Sequence, residues 1–118
     1  MRFALTSSDA QALRLTAAAG VRPETHGVYR FRPGATTAVL TLSNLSPAPS
    51  GRADQAWALF GGRWISLGLV RPDAAGKARL IAEGPTFAGR PEGLEVTVEP
   101  ETGSSSPTGP LVIAWRAP

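Results

Sequence analysis

Residues 55–70 read QAWALFGGRWISLGLV, two apolar runs joined by a Gly-Gly pair. Two glycines between strand-like runs predict a two-residue β-hairpin, because the tight turns that join antiparallel strands need positive φ angles. Strict alternation along the second run would then place Ile65, Leu67 and Leu69 on one face of that strand. The hairpin is the strongest local signal in the chain, and the rest of the sequence is consistent with it.

Five more apolar runs of strand-like length are separated by turns rich in glycine and proline, of which the chain has 13 and 11. Seven runs at this spacing predict an all-β fold. Residues 12–17 suit a helix slightly better than a strand by propensity alone. We predict a small antiparallel β-sandwich of about 7–8 strands with Greek-key-like (Ig-like) topology. The five runs are GVYRF (27–31), TAVLTLS (37–43), KARLIA (77–82), LEVTV (94–98) and LVIAW (111–115).

Length and composition exclude several classes of protein. With 118 residues, we expect residues 1–118 to form one domain. The absence of cysteine excludes disulfides, thiol nucleophiles and cysteine metal sites, so we predict no cofactor and no metal. No apolar run approaches the roughly 20 residues that span a bilayer. The first 20 residues lack the apolar stretch of a signal peptide.

The charge pattern argues against nucleic acid as a partner. The net charge is +3 and the sequence pI is about 10.6, which overstates the basicity because eleven of the twelve basic residues are arginine. Residues 60–118 are neutral, and no run of like charge exists. Four acids lie within ten residues, and we interpret them as a solvated strand face that discourages edge pairing. They are Glu92, Glu95, Glu99 and Glu101.

Three arrangements could in principle carry chemistry, and none is complete. His26 is the only histidine, and no G-x-S-x-G elbow accompanies it, so a small hydrolase is the weakest hypothesis. Glu24 and His26 offer two metal ligands where zinc needs at least three from the protein. Glu95 and Glu99 share a strand parity, as a glycosidase pair would, but nothing else indicates a sugar cleft. We therefore predict no catalytic residues and no enzymatic activity.

Two surface features could bind a ligand. Arg30 and Arg32 would project from one face of a strand and could hold an anion, although an exposed charged face is the simpler interpretation. Among the three tryptophans, Trp64 shares its parity with polar positions and is expected to be the most exposed. An exposed Trp64 would suit a ligand- or polysaccharide-binding module.

Three stretches resemble the anti-sigma-K factor C-terminal domain family over roughly residues 12–115. The first is AVLTLSNL at 38–45, which is followed by Pro47, Pro49 and Gly51. The second is DQAWAL at 54–59 with ISLGLV at 65–70, although Asp54 stands where the family has tyrosine. The third, and the most specific, runs from LEVTVEPETGS at 94–104 to PTGP at 107–110.

The resemblance implies a strand rather than a helix at residues 12–17, and it implies a role. Such a domain would be the extracytoplasmic sensory or regulatory part of a bacterial single-pass membrane anti-sigma factor. The expected partners are an envelope protease or an unidentified ligand, and a sigma factor bound through another domain. Contact with the membrane would be made by a transmembrane helix, which, like the sigma-binding domain, we expect to lie outside this chain. The signature residues are expected to be structural: Gln55, Trp57, Gly68, Glu99, Pro100, Pro107, Thr108, Gly109 and Pro110.

Overall fold

The computed structural model describes residues 10–118, which form an all-β domain. Each apolar run predicted from the sequence is a strand, and residues 12–17 are also a strand. The one helical element in the described range is a single 3-10 turn, Pro85–Ala88. The eight strands are β1 (Gln11–Ala17), β2 (His26–Phe31), β3 (Thr37–Ser43), β4 (Arg52–Phe60), β5 (Arg63–Val70), β6 (Ala78–Glu83), β7 (Gly93–Pro100) and β8 (Leu111–Arg116).

The strands are antiparallel and follow the order β5-β4-β7-β8-β1-β2-β3-β6. All eight strands belong to one sheet, which folds over so that its two four-stranded halves enclose the core. The halves are joined where the end of β1 pairs with β8 over two residues. The chain crosses between the halves at the β3–β4, β5–β6 and β6–β7 connections, as Greek-key sandwiches do. The predicted antiparallel sandwich is therefore confirmed.

The core lies between the two halves and is built from the inward positions of alternating strands. Tyr29, Leu40 and Leu94 are each at most 2% exposed. On β4 the inward positions are Ala56 and Ala58, whose small side chains leave room for the larger residues of the opposite half. The core thus follows the period of two that the sequence shows in β1, β2 and β3.

The predicted hairpin forms, with Phe60 opposite Arg63 and both intervening glycines at positive φ. The alternation predicted for β5 is wrong beyond Ser66. The register shifts so that Trp57 faces Ser66 while Ala56 faces Gly68. This β-bulge leaves Leu67 without a partner and moves Leu69 to the outer face, opposite Gln55.

No helix among residues 10–118 is long and apolar enough to cross a membrane.

Candidate functional site

The outer face of β4 and β7 carries buried side chains that do not belong to the core. Gln55 and Trp57 point outward from β4, and Thr97 and Glu99 point outward from β7. All four are buried, with Trp57 only 1% exposed. They are covered because residues 101–110, the loop between β7 and β8, fold back over this face. We call these four residues, together with Ser104, Thr108 and Gly109 of the loop, the Glu99 cluster.

Glu99 is the centre of the cluster and accepts five hydrogen bonds. Its Oε1 accepts from the hydroxyls of Ser104 at 2.8 Å and Thr108 at 2.6 Å. Its Oε2 accepts from the Thr97 hydroxyl at 2.6 Å and from the backbone amides of Thr108 at 2.9 Å and Gly109 at 3.0 Å. A carboxylate offers about four lone-pair sites, so its acceptor capacity is fully used.

The environment of Glu99 favours the charged carboxylate although the side chain is 0% exposed. Burial on its own would raise the pKa of Glu99. The hydrogen bonds from Thr108, Thr97 and the two backbone amides outweigh burial and lower the pKa to about 2, from an ordinary value of 4.5. All five donors are neutral. Because all of its acceptor sites are occupied, this carboxylate is suited to fixing a loop rather than to transferring a proton.

Two further contacts tie the cluster to β4. The indole nitrogen of Trp57 donates to the Thr97 hydroxyl at 2.9 Å, and that hydroxyl in turn donates to Glu99. The Gln55 side chain forms two hydrogen bonds with the Ser104 backbone. Its Oε1 accepts from the Ser104 amide at 2.9 Å, and its Nε2 donates to the Ser104 carbonyl at 3.2 Å. The Gln55 Nε2 also donates to the Ser66 hydroxyl at 2.8 Å, which extends the network to β5.

The prolines and glycines of the signature shape the loop around Glu99. The carbonyl of Pro100 accepts from the Gly103 amide at 2.8 Å, and the carbonyl of Pro110 accepts from the Val98 amide at 2.9 Å. Pro107 is half-buried. A Cβ atom at Gly109 would lie 1.6 Å from the Val98 carbonyl oxygen, so only glycine fits there.

Gly68 is a signature residue whose backbone conformation requires glycine. Its φ angle is +129°, beside the bulge of β5. A Cβ atom there would meet only the Leu80 side chain, at an ordinary 3.5 Å. The bulge therefore requires glycine for its backbone conformation rather than for space.

The other acids of the predicted solvated face divide into two groups. Glu101 is exposed, as is Glu92, whose Oε1 accepts from the Gly62 amide at 3.1 Å. Glu95 is half-buried and forms a 2.9 Å ion pair with Arg116. β7 lies between β4 and β8, so it is not an edge strand. The interpretation of all four acids as a solvated face that protects an edge was wrong, most clearly for Glu99.

The candidate ligand-binding residues lie away from the Glu99 cluster, and Trp64 is apart from the two arginines. Trp64 is half-buried, with the Arg116 guanidinium 5.0 Å from the centre of its ring. Arg30 is exposed and donates to the Thr41 hydroxyl at 3.3 Å. Arg32 is exposed just beyond the end of β2. Arg30 and Arg32 both line an open cavity of about 310 Å³, and Trp64 is not among its lining residues. These three side chains remain a predicted ligand surface.

His26 and Glu24 meet only through the backbone, since the His26 Nδ1 lies 2.9 Å from the Glu24 carbonyl oxygen. In the described part of the chain, no three histidine or acidic side chains are placed to hold a metal ion.

Asp54 is a second buried acid, and its environment is the opposite of that of Glu99. It is 3% exposed and lies on β4 in the inward row that continues from Ala56. Burial raises its pKa from 3.8 to about 6. The sequence analysis did not predict that Asp54 is buried. An acid within an otherwise apolar strand was the feature that could have indicated it.

Because the two buried acids are shifted in opposite directions, we expect the stability of the fold to peak near pH 4–5. Glu99 stabilises the fold above about pH 4.5, and its contribution is lost as the pH falls through about 2. Asp54 destabilises the fold progressively as the pH rises from about 3.8 to about 6. Each shift corresponds to roughly 3 kcal/mol. Urea unfolding from about pH 2 to 8 measures this profile, and a steady rise in stability up to neutral pH would contradict it.

We expect Asp54→Asn to stabilise the fold by about 2 kcal/mol at about pH 7.5, because it removes an ionised carboxylate from a buried position. Chemical unfolding of the variant beside the wild type measures the difference. The internal control is a repeat at about pH 4, where Asp54 is mostly protonated in the folded protein and the gain should nearly vanish. A loss of stability at the higher pH would show that the Asp54 carboxylate has a stabilising partner.

The fold and the Glu99 cluster define a class: a small β-sandwich in which a buried, saturated carboxylate holds a long loop to the outer face of the sheet. The family model described as "Anti-sigma-K factor rskA, C-terminal" matches residues 3–111, and the chain belongs to this family. The family takes its description from anti-sigma factors, whose C-terminal region its model describes.

A curated relative extends this comparison. The chain is 33% identical over 114 residues to a Streptomyces griseus protein with the description "Uncharacterized protein in phr 5'region". The match covers 97% of this chain and 45% of that protein, so the chain spans about half the length of this relative. No solved structure gives a significant match.

Proposed function

We propose that this domain is the extracytoplasmic regulatory part of a membrane-anchored bacterial anti-sigma factor, and that it controls release of an extracytoplasmic-function sigma factor through regulated proteolysis. The observation that carries the proposal is the family match over residues 3–111. The partial coverage of the longer relative supports it, because an anti-sigma factor of this design needs sequence outside the sandwich.

The Glu99 cluster gives this role a physical basis. A protease cleaves a segment that opens locally, and the frequency of opening depends on the free energy of the contacts that hold the segment closed. The loop at residues 101–110 is mostly exposed, yet the buried Glu99 fixes it through four hydrogen bonds, two from hydroxyls and two from backbone amides. The domain would therefore resist cleavage until a signal loosens it. A ligand that binds only the folded form would strengthen that resistance.

The test uses the protein as its own cells produce it, with a reporter gene that depends on the sigma factor it is proposed to control. We expect that deleting residues 10–118 changes reporter output at least several-fold, and that Glu99→Gln raises it. Glu101→Gln is the matched control, since Glu101 is an exposed acid two residues away. Reporter output unaffected by the deletion would refute the proposed role.

A further inference from the structure

One end of the sandwich holds a cavity that the Glu99 cluster does not use. Its volume is about 260 Å³, somewhat below the range of about 300–1,000 Å³ typical of pockets for drug-sized ligands. The β1–β2 loop forms one wall with Val21, and the β3–β4 loop forms another with Pro47 and Pro49. Val98 of β7 and Val112 of β8 complete an apolar lining.

Asp54 is the one acid among the twelve residues that line this cavity. It continues the inward row of β4, opposite Val70 and Val98, at the point where the core ends and the cavity begins. Asp54 is 3% exposed, and no hydrogen bond to its carboxylate is formed within residues 10–118. Its oxygens are not among the fully enclosed side-chain atoms without a partner in that range, so they open into the cavity. An acid buried this deeply is usually paired.

We propose that this cavity is a binding site for a small organic ammonium ion, in which Asp54 pairs with a protonated amine and the valines and prolines surround an apolar body. The amine would supply the charge and the hydrogen-bond donors that the carboxylate lacks. A metal ion fits less well, because Ca²⁺ takes six to eight oxygen ligands and no second acid lines the cavity.

Arg22 is the other charged residue of the lining, and its position explains why it does not neutralise Asp54. Arg22 is exposed, and its guanidinium donates to the Asn44 carbonyl at 2.9 Å. Its charge faces water and is screened there, whereas the charge of Asp54 is buried. An amine on a short hydrocarbon chain can therefore reach Asp54 past the exposed guanidinium.

The experiment is an NMR titration of the 118-residue chain with three probes of equal chain length: n-butylammonium chloride, butan-1-ol and sodium butyrate. The readout is the methyl shifts of Leu45, Val98 and Val112 at about pH 7.5, with salt held constant. We expect saturable shifts with n-butylammonium and a Kd on the order of 1–10 mM, as suits so small a ligand. Butan-1-ol should bind at least about tenfold more weakly, and butyrate should not bind.

Two further measurements tie the binding to Asp54. At about pH 5 most of the Asp54 carboxyl is protonated while the amine stays charged, so n-butylammonium should bind about tenfold more weakly. Asp54→Asn should abolish the preference for n-butylammonium over butan-1-ol. A cooperative unfolding transition of this variant shows that it is folded.

Equal responses to n-butylammonium and butan-1-ol in the wild type would overturn the proposal. So would the absence of saturable shifts at these methyls up to about 50 mM, since that exceeds the expected Kd severalfold. These measurements use the chain alone, so they test the cavity whether or not the domain regulates a sigma factor.

Discussion

Replacing Glu99 with glutamine is expected to lower the free energy of unfolding by about 3–5 kcal/mol, because hydrogen bonds to a buried charge are worth about 1.5–3 kcal/mol each and are not fully additive. Glutamine has the same shape, but its NH₂ group cannot accept. The glutamine oxygen would stay with the Thr108 and Gly109 amides, which can only donate, and the NH₂ group would replace the acceptor that the Ser104 and Thr108 hydroxyls now share. The negative charge that strengthens all five hydrogen bonds would be lost.

Urea and thermal unfolding of the 118-residue chain at neutral pH measure this loss, and the midpoint temperature should fall by at least about 10 °C. Glu101→Gln is the control, and it should change stability by less than about 0.5 kcal/mol because Glu101 is exposed. If Glu99→Gln and Glu101→Gln both had the same unfolding midpoints as the wild type, Glu99 would not hold the loop.

Gly109→Ala is expected to cost about 3 kcal/mol or more, although it adds a single methyl group. The new Cβ atom would lie 1.6 Å from the Val98 carbonyl oxygen, and backbone atoms cannot yield as a flexible side chain can. The loop would have to move outward, which breaks the hydrogen bonds from the Thr108 and Gly109 amides to Glu99. The cost therefore includes part of the loss expected for Glu99→Gln.

A matched control exists at Gly89, where a Cβ atom would meet nothing within 4 Å and φ is −105°. Gly89→Ala should be neutral or slightly stabilising, because alanine restricts the unfolded chain. The two variants are compared by urea unfolding. A Gly109→Ala variant as stable as Gly89→Ala would mean that the loop does not lie as close to β7 as described.

The double variant connects the two predictions. Glu99→Gln and Gly109→Ala should be strongly non-additive, because each of them detaches the same segment of loop from β7. Additive costs would indicate that the close approach at Gly109 and the hydrogen bonds to Glu99 act independently.

The strands could be predicted from the sequence because the signals for strands are local. Apolar runs between glycines and prolines located seven strands within a few residues of their observed ends, and the Gly61-Gly62 pair located the hairpin. The bulge at Leu67 could not be foreseen, because strict alternation is the default expectation and the register depends on the partner strand.

The burial of Glu99 and Asp54 was not predictable, because it depends on what covers each residue in space. Glu99 looks like a member of an acidic cluster until residues 101–110 fold over it, and the contact that anchors this loop joins Gln55 to Ser104, which are 49 positions apart. In hindsight, the hydroxyl-rich loop that directly follows Glu99 was the available signal. Asp54 is buried because two loops enclose the end of the sandwich above it.

Five of the nine signature residues meet in one place in the structure, around Glu99. Gln55 and Trp57 lie on β4, and Thr108 and Gly109 lie on the β7–β8 loop. Each is linked to Glu99 directly or through a single intermediate residue. These signature residues therefore form one physical unit, in which the Glu99 carboxylate fixes the loop at residues 101–110. Release of that loop would expose it to solvent.

Amide hydrogen exchange of the wild-type chain tests this account most directly. The amides of Thr108 and Gly109 belong to a largely exposed loop but bond to a buried carboxylate, so we predict protection approaching that of the strand amides of β7. The amides of Ser105 and Ser106 are an internal control, since both residues are exposed and neither amide has an acceptor within residues 10–118. Exchange at Thr108 and Gly109 as fast as at Ser105 and Ser106 would contradict the central claim that Glu99 holds this loop closed.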